Sequence, residues 1–337
     1  MSQTTMRAAV ALKAGAALQL QDLPLPGIKA GQVLVKIIAS GVNPLDTKIS
    51  NGQGGHARQP LPAVLGMDLA GIVEAVAADV TAFTVGDEVF GMAGGIGGQQ
   101  GSLADYIAVD ADLLARKPRN LSMREAAALP LIFITAWEGL VDRANVRGGQ
   151  RVLVQGGAGG VGHIAVQIAK AHGAEVFATG SGKSLAIIEG FGASAIDYRS
   201  QAPADYLEQH TGGEGFDIVY DTVGGATLDV SFNLLKVYTG HVVSCLGWGE
   251  HTLAPLSFRG ATYSGVFTLL PLITGKGRQH HGEILAQATR MAEAGQLRVL
   301  LDDRRFTLEN VNDAHAIVAA GQAIGKVVID ICLDTHE

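Results

Sequence analysis

Two regimes of hydrophobic patterning divide the chain. Up to about residue 125, apolar residues come in short runs, Arg7–Ala11, Leu18–Leu20, Gln32–Ile38 and Gly71–Val76, separated by polar turns and punctuated by Pro24, Pro26, Pro44, Pro60 and Pro62. Short runs among prolines predict strands and argue against a long helix. Val85–Gly91 reads as a further strand reached through a tight turn, so this half predicts an antiparallel, partly barrel-like domain. A helix is predicted from Ser122, where Glu125 stands at capping-box spacing, and Pro130 breaks or kinks it before the apolar helix around Thr135–Leu140.

From Arg151 the pattern alternates. It predicts a strand at 151–155, a helix at 160–172, a strand at 174–179, a helix at about 183–190, and short strands at 195–196 and 216–221. His241–Leu246 and Tyr263–Phe267 read as buried strands, with helical material from Thr227 to Lys236 between the earlier strands and these. Such alternation predicts an α/β fold with a Rossmann-type, doubly wound parallel sheet. Glu283–Ala294 and Leu308–Ala320 are helical in pattern, and Lys326–Ile331 is strand-like. Whether this last strand returns to the first domain is left open by the pattern.

The most specific signal is the stretch from Gln155 to His163, set between the first strand and helix of the alternating region. Gly157, Gly159 and Gly162 match G-x-G-x-x-G: the first allows the tight turn, the second leaves room for phosphates, and the third lets helix approach strand. Together with Ala158, Gly160 and Val161 they would present backbone N–H groups to a dinucleotide pyrophosphate. With 45 glycines in 337 residues the spacing alone is weak, but the next strand arrives where a βαβ unit puts it.

Composition narrows the partners. A formal charge of −7, no sustained basic cluster and 5% aromatic residues argue against nucleic acid. The longest mainly apolar run, Ala126–Trp137, is shorter than the roughly 20 residues a bilayer requires, so no membrane span is expected. No secretory pattern occurs near Met1, and the expected address is cytoplasmic. Cys245 and Cys332 are the only cysteines, too few for a disulfide framework or a four-cysteine metal knot.

The second strand of the alternating region ends in Gly180, where a carboxylate would bind the adenine ribose 2′-hydroxyl. Ser181 and Lys183 follow with hydrogen-bond donors, and Tyr198 and Arg199 follow the next strand, Arg199 offering a guanidinium fork. A carboxylate would repel a 2′-phosphate, so its absence predicts NADPH/NADP+ rather than NADH.

At this point the chain resembles the zinc-free quinone oxidoreductase branch of the medium-chain dehydrogenase/reductase superfamily. The resemblance rests on Ala39–Lys48, Gly66–Val73, Val85–Phe90, Thr135–Leu140 and the glycine turn, in that order. It implies a discontinuous, mostly β GroES-like catalytic domain (1–126 and 268–337), a dinucleotide-binding domain (127–267), and often a homodimer. Zinc-dependent relatives place cysteine and histidine where this chain has Asn43 and Met67, so no metal is expected. Isolated Asp46 and Asp68 are read as turn-stabilising or solvated.

By the same resemblance, Asn43 would orient the nicotinamide ribose or the substrate oxygen, Thr47 would donate or relay a proton, and Lys48 would stabilise negative charge or bind cofactor. Thr135 would approach the cofactor phosphates. Gly247, Val266 and Phe267 would line the nicotinamide, and Lys326 would reach the cleft. The glycine-rich stretch 90–102 is expected to border the substrate or to form a mobile surface loop, and His280 and His281 are expected in a surface turn. The reading that follows is an NADPH-dependent reductase of a quinone or small conjugated carbonyl. Alternatives are a 2-alkenal/enone reductase, a zinc-independent alcohol dehydrogenase, and a nonenzymatic NADPH-binding regulator.

Overall fold

In the computed structural model, which describes residues 4–332, the two regimes of patterning become two units, one comprising the chain up to Leu131 and from Leu269 onward, the other Ile132–Thr268.

The first unit is built around the strand Gln32–Gly41. Its early residues alternate, with Val33, Val35 and Ile37 buried, as a half-buried strand should. It pairs antiparallel with Asp68–Val76, Tyr106–Asp110 and Val328–Asp330. Glu88–Met92, Leu114–Arg116 and Phe306–Thr307 complete this seven-stranded sheet. The pairing of Val328 with Gly41 brings the last strand back to the first half of the chain, the connection that patterning left open. A smaller sheet joins Thr5–Ala11 to Gln19–Pro24 and Ala63–Val64. Ser122 caps the helix Met123–Ala128 as its spacing predicted, with the Ser122 N–H donating to Glu125 Oε2 at 2.9 Å.

Two expectations for this unit are corrected. Stretch 90–102 is not a mobile surface loop, because Phe90, Met92, Ile96 and Ser102 are fully buried and Ser102 Oγ lies 2.7 Å from Ser40 Oγ. His281 is buried on the helix Arg278–Glu293, not in a surface turn.

The second unit holds six parallel strands in the order Ser194–Asp197, Glu175–Gly180, Arg151–Gln155, Ile218–Asp221, His241–Ser244, Thr262–Gly265. The order reverses beside Arg151–Gln155, the switch point at which doubly wound sheets bind their ligands. Leu153, Phe177, Ile196, Val219, Phe232 and Val242 form its core. A helix at Pro203–Thr211 joins the predicted elements; Pro203 at its start, Asp205 accepting from the Ala202 N–H at 3.2 Å and a left-handed Gly212 at its end are ordinary boundary signals. The Tyr263–Phe267 segment differs from expectation. Its strand is Thr262–Gly265, a largely exposed edge rather than a buried one.

Candidate functional site

In the second unit the strand Arg151–Gln155 runs into the helix Gly160–Ala171 through the glycine turn. The positive φ of 76° falls at Gly156, so the tight turn belongs there rather than to Gly157. A Cβ on Gly157 would stand 2.4 Å from Ala178 Cβ, and one on Gly162 would stand 2.1 Å from Gly156 O. Both glycines are therefore required by close packing, as expected for Gly162. Thr179 braces the turn: its Oγ1 donates to Gln155 Oε1 at 2.8 Å and accepts from the Gly156 N–H at 3.0 Å.

Gly156, Ala158 and Gly159 border a cavity of about 670 Å³, together with Thr179, Ser181, Tyr198, Tyr206 and Thr222. The first N–H groups of the adjoining helix have no partner within it and give the turn a partial positive charge. This cradle fits a pyrophosphate, because the backbone donors border open space while the glycines beneath exclude side chains. Ser181 Oγ donates to Tyr198 Oη at 3.3 Å. That bond and the neighbouring Arg199 hold the Tyr198 phenol below its usual range. Three of the four residues expected at the 2′-phosphate thus converge, whereas Lys183 lies exposed just ahead of the helix Ser184–Gly190. Asp197, paired with Gly180, is a carboxylate that the sequence reading passed over; its Oδ1 accepts from the Arg199 N–H at 3.0 Å.

Elsewhere in this unit, Thr135 is buried and its carbonyl accepts from Tyr220 Oη at 2.7 Å. Gly139 makes room for that tyrosine, since a Cβ there would be 2.8 Å from Tyr220 Cζ. A Cβ on Gly247 would meet Tyr263 Oη at 2.2 Å, Val266 is buried, and Phe267 packs edge-on against Trp248.

In the first unit, the turn before the helix Pro44–Ser50 carries a buried polar network. The Asn43 N–H donates to Asp46 Oδ2 at 2.8 Å, and Asn43 Nδ2 donates to Asp68 Oδ2 at 2.8 Å. Asp68 Oδ1 accepts from the Leu131 N–H at 2.9 Å. Lys326 Nζ donates to Val42 O at 2.9 Å and to Asn43 Oδ1, and lies 3.9 Å from Asp68 Oδ2.

All four side chains are buried, with Lys326 at 5% exposure, so Asp46 and Asp68 are not solvated. Burial raises Asp46 to about 7, against the lowering effect of its bond from Asn43, and raises Asp68 to about 6 against the pull of Lys326. Burial also lowers the Lys326 ammonium, with Asp68 opposing. Sequence reasoning missed this network because Asp68 and Lys326 lie far from Asn43 in the chain and reach it only through the pairing of Asp68 and of Val328 with Gly41.

Thr47 and Lys48 do not join it. Thr47 Oγ1 donates to Pro44 O at 2.8 Å, and its side chain lines a separate cavity of about 210 Å³ with Asn312 and His315. Lys48 is exposed on the same helix. Among the described residues no three of His, Cys, Asp and Glu are grouped to hold a metal ion.

Comparison with known proteins places this architecture. Residues 29–119 match the alcohol dehydrogenase GroES-like domain, and residues 191–329 match the zinc-binding dehydrogenase family. The chain is 38% identical over 316 residues to the 2-methylene-furan-3-one reductase of Solanum lycopersicum, covering 91% of this chain and 74% of that protein. It is 31% identical to the quinone oxidoreductase of Sus scrofa, covering 91% of this chain and 92% of the relative. The crystal structure of an alcohol dehydrogenase superfamily protein from Novosphingobium aromaticivorans matches with a TM-score of 0.95 and 54% identity, covering 97% of this chain and 100% of that one. The chain belongs to the medium-chain dehydrogenase/reductase superfamily, in its quinone oxidoreductase branch.

Proposed function

We propose that this protein is an NADPH-dependent reductase of quinones or related conjugated carbonyls, 2-alkenals and enones included. The observation that carries the reading is the braced glycine turn beside an open cavity whose lining also brings Ser181 and Tyr198 together next to Arg199. The turn supplies N–H donors for a pyrophosphate, and the hydroxyl and guanidinium groups suit a 2′-phosphate. When bound, a reduced nicotinamide supplies hydride, so that NADPH, H⁺ and an enone become NADP⁺ and the saturated carbonyl. Thr135, Gly247, Val266 and Phe267 are proposed to contact the cofactor.

Two named relatives are reductases of conjugated carbonyls or quinones, which favours turnover over a binding-only role and over alcohol oxidation. We read the site as working without zinc. An amide, a thioether and a carboxylate at Asn43, Met67 and Asp68 are a poor donor set, and the ammonium of Lys326 beside Asp68 repels a divalent cation.

We further propose a cytoplasmic homodimer. Thr262–Gly265 is an edge strand, and Tyr238 and Phe258 are 84% and 87% exposed. No described helix is long and apolar enough to cross a membrane.

The test is oxidation of NADPH and of NADH against a panel of quinones, enones and alcohols, with and without chelator, recovering the reduced product. Chelator-insensitive reduction of conjugated acceptors, faster with NADPH, is expected. Loss of turnover on chelation with return on adding Zn²⁺ would overturn the metal-free reading, and alcohol oxidation alone would overturn the substrate class.

A further inference from the structure

The buried network of the first unit constrains Asn43 more tightly than its residue type implies. An ammonium has only donors, so the atom facing Lys326 Nζ must be the carboxamide oxygen; an ionised carboxylate only accepts, so the atom facing Asp68 Oδ2 must be the carboxamide nitrogen. Both neighbours impose the same orientation. The amide keeps one spare N–H, and the cation on its oxygen strengthens that N–H as a donor by polarising the group.

Lys326 also reaches Val42 O, so the ammonium pins the main chain ahead of Asn43 as well as its side chain. Asp46 holds the other end by accepting from the Asn43 N–H. Turn, amide and returning strand are thereby locked as one piece.

We propose that Lys326 is a positioning residue: with Asp68 it fixes the Asn43 carboxamide so that Asn43 acts as a hydrogen-bond donor, its spare N–H serving the carbonyl oxygen of the acceptor. This rests on the reductase reading, in which that oxygen gains negative charge as hydride arrives at the conjugated carbon. A donor fixed in advance is worth more to the charged oxygen than to the neutral one, so the clamp acts on kcat. It also separates the roles of the two lysines considered from sequence, since Lys48 is exposed and outside the network.

The experiment compares wild type, Lys326→Met and the charge-balanced double variant Lys326→Met with Asp68→Asn. Two readouts are taken: the Asn43 side-chain amide resonance in protein labelled at asparagine, assigned by its loss in Asn43→Ala, and kcat with KM for NADPH and for a quinone. In Lys326→Met the amide resonance is expected to shift and kcat to fall by at least about tenfold, with KM for NADPH changing by less than about twofold.

The double variant removes both buried charges and should regain thermal stability while kcat stays low. Wild-type kcat in a folded double variant would reduce Lys326 to charge compensation and overturn the proposal. So would an unmoved Asn43 amide in Lys326→Met. If wild-type protein reduces no conjugated acceptor, the reductase reading falls by itself, and the amide resonance still decides whether the clamp exists.

Discussion

Single side chains of this protein titrate far from their ordinary ranges, and the direction differs from one to the next. His315 is buried against the 210 Å³ cavity with neither ring nitrogen hydrogen-bonded, and burial lowers it from 6.5 to about 4. The unfolded chain therefore binds this proton more readily, so stability present above pH 6.5 is lost as pH falls towards 4, with a slope of at most about 1.4 kcal/mol per unit. Asp46 has the opposite sign. Its folded value is raised from 3.8 to about 7, so its contribution is greatest below pH 3.8 and declines as pH rises through 7. The two slopes share the window from about pH 4 to 6.5 and oppose each other, so in denaturant melts across pH 4–8 stability should fall more steeply with rising pH in His315→Gln than in wild type, and rise more steeply in Asp46→Asn; parallel curves for wild type and variant would contradict the assignment. At the cofactor cradle, Arg199→Ala is expected to raise KM for NADPH by about tenfold or more and leave NADH nearly unchanged, as loss of a charge-assisted bond to a phosphate requires. Equal losses for both cofactors would reject that role. Ser181, Tyr198 and Arg199 were legible in sequence because they follow consecutive strand ends, whereas Asp197 was passed over because its chain number did not reveal its pairing with Gly180.

At the scale of elements, local chemistry and close packing decide different things. The box joining Ser122 and Glu125 starts the helix Met123–Ala128 without help from elsewhere, and Ser122→Ala should cost about 1 kcal/mol in chemical denaturation. Gly162 obeys a longer-range demand. A methyl group there meets Gly156 O at 2.1 Å, so Gly162→Ala should force helix from strand, lowering stability by about 1–3 kcal/mol and weakening nucleotide binding together. A variant with unchanged melting and unchanged NADPH affinity would show that the turn yields more easily than its contacts imply. The capping box and the G-x-G-x-x-G spacing were readable as written. The turn's positive φ at Gly156 was not, because adjacent glycines are equivalent in sequence and only their packed surroundings distinguish them, Gly156 against Thr179 Oγ1 and Gly157 against Ala178. Of the two expectations for stretch 90–102, the mobile loop fails for a related reason: glycine-rich composition suggests mobility, but here it accompanies a buried segment.

For the whole molecule, the proposed dimer rests on the edge at Thr262–Gly265 and on the exposed Tyr238 and Phe258, the Tyr238 N–H donating to Arg259 O beside Phe258 at 2.7 Å. Replacing Tyr238 and Phe258 together by Asp should convert a dimer to a monomer in light scattering, without loss of the far-ultraviolet spectrum. A wild-type protein that is already monomeric at micromolar concentration would remove the dimer. Saturating NADPH should also raise the melting temperature, since a ligand at about 100 times its Kd stabilises the folded state by about 2.7 kcal/mol.

The chain's own pattern settled the parallel-sheet architecture, the glycine turn and the absence of a carboxylate at Gly180, because each depends on residues close together in sequence and on the short-range geometry of strand, turn and helix. Tertiary structure alone decided that Lys326 and Asp68 close around Asn43, that Thr47 belongs to another cavity, and that Thr262–Gly265 is an edge. The first depends on strand pairing across nearly the full length of the chain, and the others on which elements pack beside one another, none of which a local alternation of polar and apolar residues encodes.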